Sequence, residues 1–200
     1  MATVLKLGPA DHGRPMSRTE LEAGEYEQGY QYELIDGRLY VSPLPNPPEG
    51  VIEDWVTTKL KDYARRRPGV INWVYGKTRV FVPGRPDETI PEPDVAAYRR
   101  FPLDRDFREI RWEDVSPILV VEVLSRDDPA KDLMRNRGLY LQVSSIKEYW
   151  IVDPRADPNR PSLRVHRRIG RRWRITDLPF GETYTTPLLP GFKLLIDPHR

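Results

Sequence analysis

The apolar residues of this chain change period along it, and the changes mark its elements. From Glu49 to Arg67 the positions Ile52, Trp55, Val56, Leu60, Tyr63 and Ala64 recur at spacings of three and four, which puts them on one face of a helix. Upstream, YELIDGRLYVS from Tyr32 to Ser42 reads as two strands about Asp36-Gly37, a dipeptide that accepts the positive φ angles of a tight hairpin turn. Prolines 43, 45, 47 and 48 end it. Ser17-Arg18-Thr19-Glu20 has the S-x-x-E form in which hydroxyl and carboxylate satisfy each other's exposed amides. The first ordered element is therefore expected at Ser17, as a short helix to about Gln28, with residues 1–16 a flexible lead.

Val70 to Val82 predicts a strand pair bent around Gly76-Lys77. Pro83 to Pro93, with four of the 21 prolines, is a turn-rich loop leading into DVAAY from Asp94. A short helix is expected around Asp104 to Trp112. Then come the apolar run ILVVEVLS from Ile118 to Ser125, a helix from about Asp128 to Val143, and the apolar strand EYWIVD from Glu148 to Asp153. Strand, helix, strand in so short a span predicts a parallel crossover. Beyond Pro154 the pattern becomes antiparallel, with SLRVHRR, a turn at Gly170, RRWRITDL and a closing GFKLLID. These elements predict one α/β domain (α+β, mixed sheet) over residues 17–196, followed by a tail at 197–200; 200 residues suffice for its core.

Composition narrows the chemistry. With 32 Lys plus Arg against 30 Asp plus Glu the net charge is +2, so attraction to an acidic partner depends on where the charge sits. The absence of cysteine excludes disulfides, thiolate ligands and thiol nucleophiles. Three scattered histidines, His12, His166 and His199, argue against a His-rich zinc site. Oxygen ligands remain, and those favour Mg²⁺ or Mn²⁺. No apolar stretch approaches the roughly 20 residues of a membrane helix, and the N-terminus lacks the apolar run of a signal peptide. A soluble, cytoplasmic protein that does not engage membranes is expected.

Glu122 lies in the middle of an apolar run. Removing an unpaired carboxylate from water costs several kcal/mol, so it should be neutralised, paired or metal-bound. Asp94, behind Pro93, begins a neighbouring candidate strand, and two such acids suggest a divalent-metal site. The plainer alternatives are that Glu122 pairs with an arginine and that Asp94 merely starts its strand. Between Arg155 and Arg174 eight arginines face one acid, Asp157. At the predicted hairpin Arg167, Arg168, Arg171 and Arg172 are candidate phosphate contacts, although a charged hairpin also protects a sheet edge.

YELIDG, Pro93-Asp94-Val95-Ala96, VVEVLS, an Asp-rich helix ending in Leu139-Tyr140, and EYWIVDP occur in an order that resembles the Uma2 family of the PD-(D/E)XK nuclease-like superfamily. The resemblance spans about Ser17 to Ile196. It implies a restriction-endonuclease-like core, a central mixed sheet flanked by helices, carrying an added C-terminal hairpin, and Mg²⁺-dependent cleavage of DNA. It assigns Asp94, Glu122 and the carbonyl of Val123 to the metal, and Glu33 to a supporting acidic position that is equally read as a strand-end acid. The superfamily lysine two residues past the glutamate is Leu124 here. The alternative lysine slot, four residues before Tyr140, is Asn136, which can orient water but carries no charge. Lys131 is the nearby candidate substitute, and Asp132, Asn136 and Tyr140 form an i, i+4, i+8 stripe. A catalytically silent nucleic-acid- or protein-binding module is the rival reading, and hydrolysis of another phosphoester a third. Cleavage of both strands of a duplex would favour a homodimer.

Overall fold

The computed structural model describes residues 5–85, 87–126 and 128–200. Two short parallel strands, β1 (Lys6–Leu7) and β2 (Glu25–Tyr26), flank helix α1 (Arg18–Ala23). The predicted cap is present, with Ser17 Oγ accepting from Glu20 N and Glu20 Oε2 accepting from Ser17 N. The helix ends at Ala23, before Gly24 and short of Gln28. Residues 5–16 are not a loose lead. Leu7 and Met16 are buried with Leu21, Tyr32, Leu34, Leu39 and Ile90 in a small cluster of their own; residues 1–4 lie outside the described residues.

Strands β3 (Tyr30–Ile35) and β4 (Arg38–Pro43) form the expected hairpin, whose turn residues Asp36 and Gly37 have φ of 50° and 67°. Helix α2 (Pro47–Arg66) turns its predicted apolar face inward. The central sheet has six strands in the order β10-β9-β8-β7-β6-β5. These are β5 (Trp73–Tyr75), β6 (Val95–Tyr98), β7 (Leu119–Val123), β8 (Glu148–Asp153), β9 (Ser162–Ile169) and β10 (Arg172–Leu178). Within this sheet, among the described residues, only β7 and β8 pair in parallel and the other four pairings are antiparallel, giving the mixed sheet expected. Strands β11 (Thr183–Tyr184) and β12 (Leu194–Leu195) close the chain as a small antiparallel pair.

Two expected elements differ. The second half of the Val70 to Val82 pair is not a strand. Val80 N and Val82 N bond instead to Pro91 O and Thr89 O, because Pro91 and Pro93 in the segment they face have no amide to return the bonds of a full ladder. The Asp104 to Trp112 helix is reduced to two single 3₁₀ turns, Phe107–Glu109 and Trp112–Asp114.

Side chains alternate across the sheet, as the two-residue strand repeat demands. Leu119, Val121 and Val123 meet α2 through Ile52, Val56 and Leu60. Val120 faces the opposite layer with Ala96, Ile151, Leu139 and Tyr140. That layer is the crossover between β7 and β8. It begins with an i→i+5 bonded, π-helical stretch, Lys131–Asn136, and continues as helix α3 (Arg137–Gln142). By the same alternation Glu122 points toward this crossover.

Candidate active site

Asp94 stands one step beyond the β6–β7 ladder, where Val95 pairs with Val121, and so lies opposite Glu122. The two acids interlock through the backbone. Asp94 N donates to Glu122 Oε2 at 3.1 Å, and Val123 N donates to Asp94 Oδ2 at 2.8 Å. Glu122 is fully buried, 0% exposed. Its other oxygen, Oε1, accepts from Asn136 Nδ2 at 2.9 Å and Tyr140 OH at 2.8 Å. Among the described residues no cation lies within ion-pair distance of Glu122. Its partners are neutral, unlike the arginine pairing considered from sequence.

The predicted stripe thus closes on the glutamate. Asn136 Nδ2 also donates to Asp132 Oδ1 at 3.0 Å, and Tyr149 OH fixes this turn by donating to the Asp132 carbonyl at 2.9 Å. Glu33, on β3, is buried. It accepts from Arg135 Nη2 at 2.7 Å and Glu92 N at 3.0 Å, with Lys131 Nζ at 3.8 Å. Lys131 Nζ also stands 4.0 Å from Asp132 Oδ1. Sequence reasoning missed Lys77 and Glu53. Lys77 Nζ bridges Asp94 Oδ1 at 2.5 Å and Glu53 Oε2 at 3.3 Å. Asp94 and Glu53, with Glu33, Val123, Lys131, Asp132 and Arg135, line a cavity of about 220 Å³.

The electrostatics are those of crowded carboxylates. Burial and then the Asp132 and Asp94 carboxylates push Glu122 well above the usual carboxylate range. Burial carries Asp132 up to about 7 against the pull of Lys131. Burial raises Glu53 too. Glu33 is the exception, since Lys131 and Arg135 outweigh its burial and hold it below its ordinary value. Five acids (Glu33, Glu53, Asp94, Glu122, Asp132) share three cations (Lys77, Lys131, Arg135), a surplus that an added cation would relieve.

The four hairpin arginines are placed elsewhere. Arg167 Nε donates to the buried Glu148 Oε1 at 2.9 Å. Arg168 spends its guanidinium on the carbonyls of Tyr140, Leu141, Val143 and Ile146. Arg171 and Arg172 are exposed at the tip. In register, Glu122 is level with Ile151 and Arg164, so Gly170 lies about 20 Å away along the strands at roughly 3.3 Å per residue. The tip is at the other end of the sheet from the carboxylates. At their end, Arg126 and Arg160 are exposed.

The family model of Uma2, described as "Putative restriction endonuclease", matches residues 19–197. The chain belongs to the Uma2 family. Among solved structures it is similar to a protein from Anabaena variabilis ATCC 29413, described as a putative nuclease belonging to DUF820. The TM-score is 0.66 at 16% identity, covering 91% of this chain and 96% of that one. No curated protein matches. At that identity the structural likeness speaks for the fold, while family membership implies a nucleic-acid substrate. No helix among the described residues is long and apolar enough to cross a membrane.

Proposed function

We propose that this Uma2 protein is a divalent-metal-dependent endonuclease that hydrolyses DNA phosphodiesters at the Asp94–Glu122 pair. The observation that carries the reading is their direct opposition on adjacent strands, one carboxylate lining a cavity and the other backed by Asn136 and Tyr140. Among the described residues no three His, Cys, Asp or Glu side chains converge as a metal cage. Mg²⁺ does not need one, because it keeps several waters and takes one or two protein carboxylates. Asp94, Glu122 and the carbonyl of Val123 would hold it, and the carboxylate surplus fits a cation there. A bound Mg²⁺ or Mn²⁺ would offset charge on the scissile phosphate and acidify the attacking water.

The protein's own contribution is orientation and charge. Val123 N fixes the Asp94 carboxylate, and Tyr140 and Asn136 hold Glu122 from behind. Asp132, at the cavity wall beside Lys131, is placed to accept or return a proton there. The second reading, a silent nucleic-acid-binding module, is favoured by the uncharged Asn136 in the expected lysine slot. Incubation of the protein with supercoiled plasmid, with and without Mg²⁺ or Mn²⁺, separates them. Metal-dependent nicking that Glu122→Ala abolishes supports the nuclease, whereas DNA retention without nicking supports the module.

A further inference from the structure

We propose that Lys77 supplies the active-site positive charge missing at Leu124 and Asn136, delivered from the opposite side of the acidic pair. The inference rests on the nuclease reading above and names the residue that completes it. The ammonium of Lys77 is 2.5 Å from Asp94 Oδ1, whereas Lys131 and Arg135 bond on the Glu33 side of the site. Among the described residues Lys77 is the cation that bonds directly to a member of the Asp94–Glu122 pair.

The local backbone is built for this delivery. Lys77 sits at φ 55°, in the left-handed region, a conformation that non-glycine residues adopt at a cost and that marks constrained sites. Its amide is anchored by Pro93 O at 3.1 Å. Gly76 precedes it, and a Cβ there would meet Asp94 O at 2.8 Å, so only glycine lets the end of β5 lie this close to the aspartate. Glu53 on α2 takes the ammonium's second bond at 3.3 Å and holds the side chain over the site. Its side chain is 29% exposed, and both acids it bonds, Asp94 and Glu53, line the cavity, so its charge borders the space a phosphate would enter. A lysine normally borne by β7 or the crossover would thus be replaced by one from the β5–β6 turn, with its charge kept within reach of the same carboxylates.

The test compares wild type with Lys77→Met and with Lys77→Met/Asn136→Lys, using plasmid nicking in Mn²⁺ and Mn²⁺ affinity by calorimetry. Thermal melts check the fold. Lys77→Met should lower nicking by about 10²-fold, the effect of one electrostatic group at a transition state. Its Mn²⁺ affinity should hold or tighten, because a competing cation beside Asp94 has gone. Asn136→Lys should restore a large part of the lost rate by returning charge to the crossover. If Lys77→Met loses Mn²⁺ affinity together with nicking, Lys77 merely builds the metal site and the proposal falls. Wild-type nicking that Lys77→Met matches removes this inference and leaves the nuclease reading intact. A wild type that neither nicks nor binds Mn²⁺ removes both.

Discussion

Arg168 offers a decisive contrast between a structural and a substrate-binding arginine. Its three nitrogens donate to four carbonyls: Ile146 O at 2.6 Å, Val143 O at 2.8 Å, and Tyr140 O and Leu141 O at 2.9 Å. Tyr140 and Leu141 are in the last turn of α3, at the negative end of the helix dipole, and Tyr140 O there takes only the capping Val143 amide at 3.3 Å from the backbone. The guanidinium also lies 4.9 Å over the Trp173 ring. Hydrogen bonds involving a charged group contribute roughly 1.5–3 kcal/mol each. Arg168 is only half-buried, so water replaces part of them, and Arg168→Met should cost about 2–4 kcal/mol in total. For a domain of 150–250 residues that is a fall of about 5–15 °C in Tm. Circular dichroism melts measure it, with Arg171→Met as the control expected to stay near wild type. The salt dependence of DNA binding should keep its slope in Arg168→Met, since no phosphate contact is lost. A melt matching wild type together with a slope shallower by about one unit would refute the argument and make Arg168 a phosphate contact.

Two further outcomes follow from the buried titratable groups. Burial and the neighbouring Asp132 and Asp94 raise Glu122, so its ionisation costs stability as pH rises above the unfolded-state value of 4.5. Glu122→Gln should therefore lose Mn²⁺ binding and flatten the fall in stability that urea unfolding of the wild type shows as pH rises above 4.5; an unchanged pH profile would mean that Glu122 is ionised in the native state. Burial lowers His166 from 6.5 to about 4. The unfolded chain takes up a proton in that window that the native state refuses, so stability falls as pH drops from 6.5 to 4. Urea unfolding across this range should show a shallower decline in His166→Phe, and parallel declines would contradict the assignment.

What the sequence made legible was whatever rests on periodicity and local turn chemistry. Helix α2, the Asp36-Gly37 hairpin and the β7–crossover–β8 unit lie where the apolar spacing put them. The stripe of Asp132, Asn136 and Tyr140 was visible for the same reason. Lys77 and Glu53 were hidden because their meeting with Asp94 joins an α2 residue to a turn 24 positions later, and no local pattern carries such a contact. The hairpin arginines pose the opposite problem. Their density was plain, but whether a guanidinium faces a phosphate or the end of α3 depends on which end of the sheet the tip occupies, and that is a matter of strand register. The N-terminal segment was underestimated because its buried anchors, Leu7 and Met16, are too few to show a period.

The widened turn at Lys131–Asn136 behaves like a residue inserted into a helix and never removed. A π-type turn accommodates one extra position locally, and such turns recur at functional sites because they re-aim side chains without displacing the rest of the helix. Here the extra position falls between two fixed points: Asp132, whose carbonyl is tied to Tyr149, and Tyr140, which is locked on Glu122. Excising one residue from the turn would restore ordinary winding and leave the helix beyond it in place, so that Asn136 and Tyr140, four apart, would keep their common face while the side chains within the turn were re-aimed. A cation that reaches the acids from the end of β5, as Lys77 does, is independent of how this turn is wound.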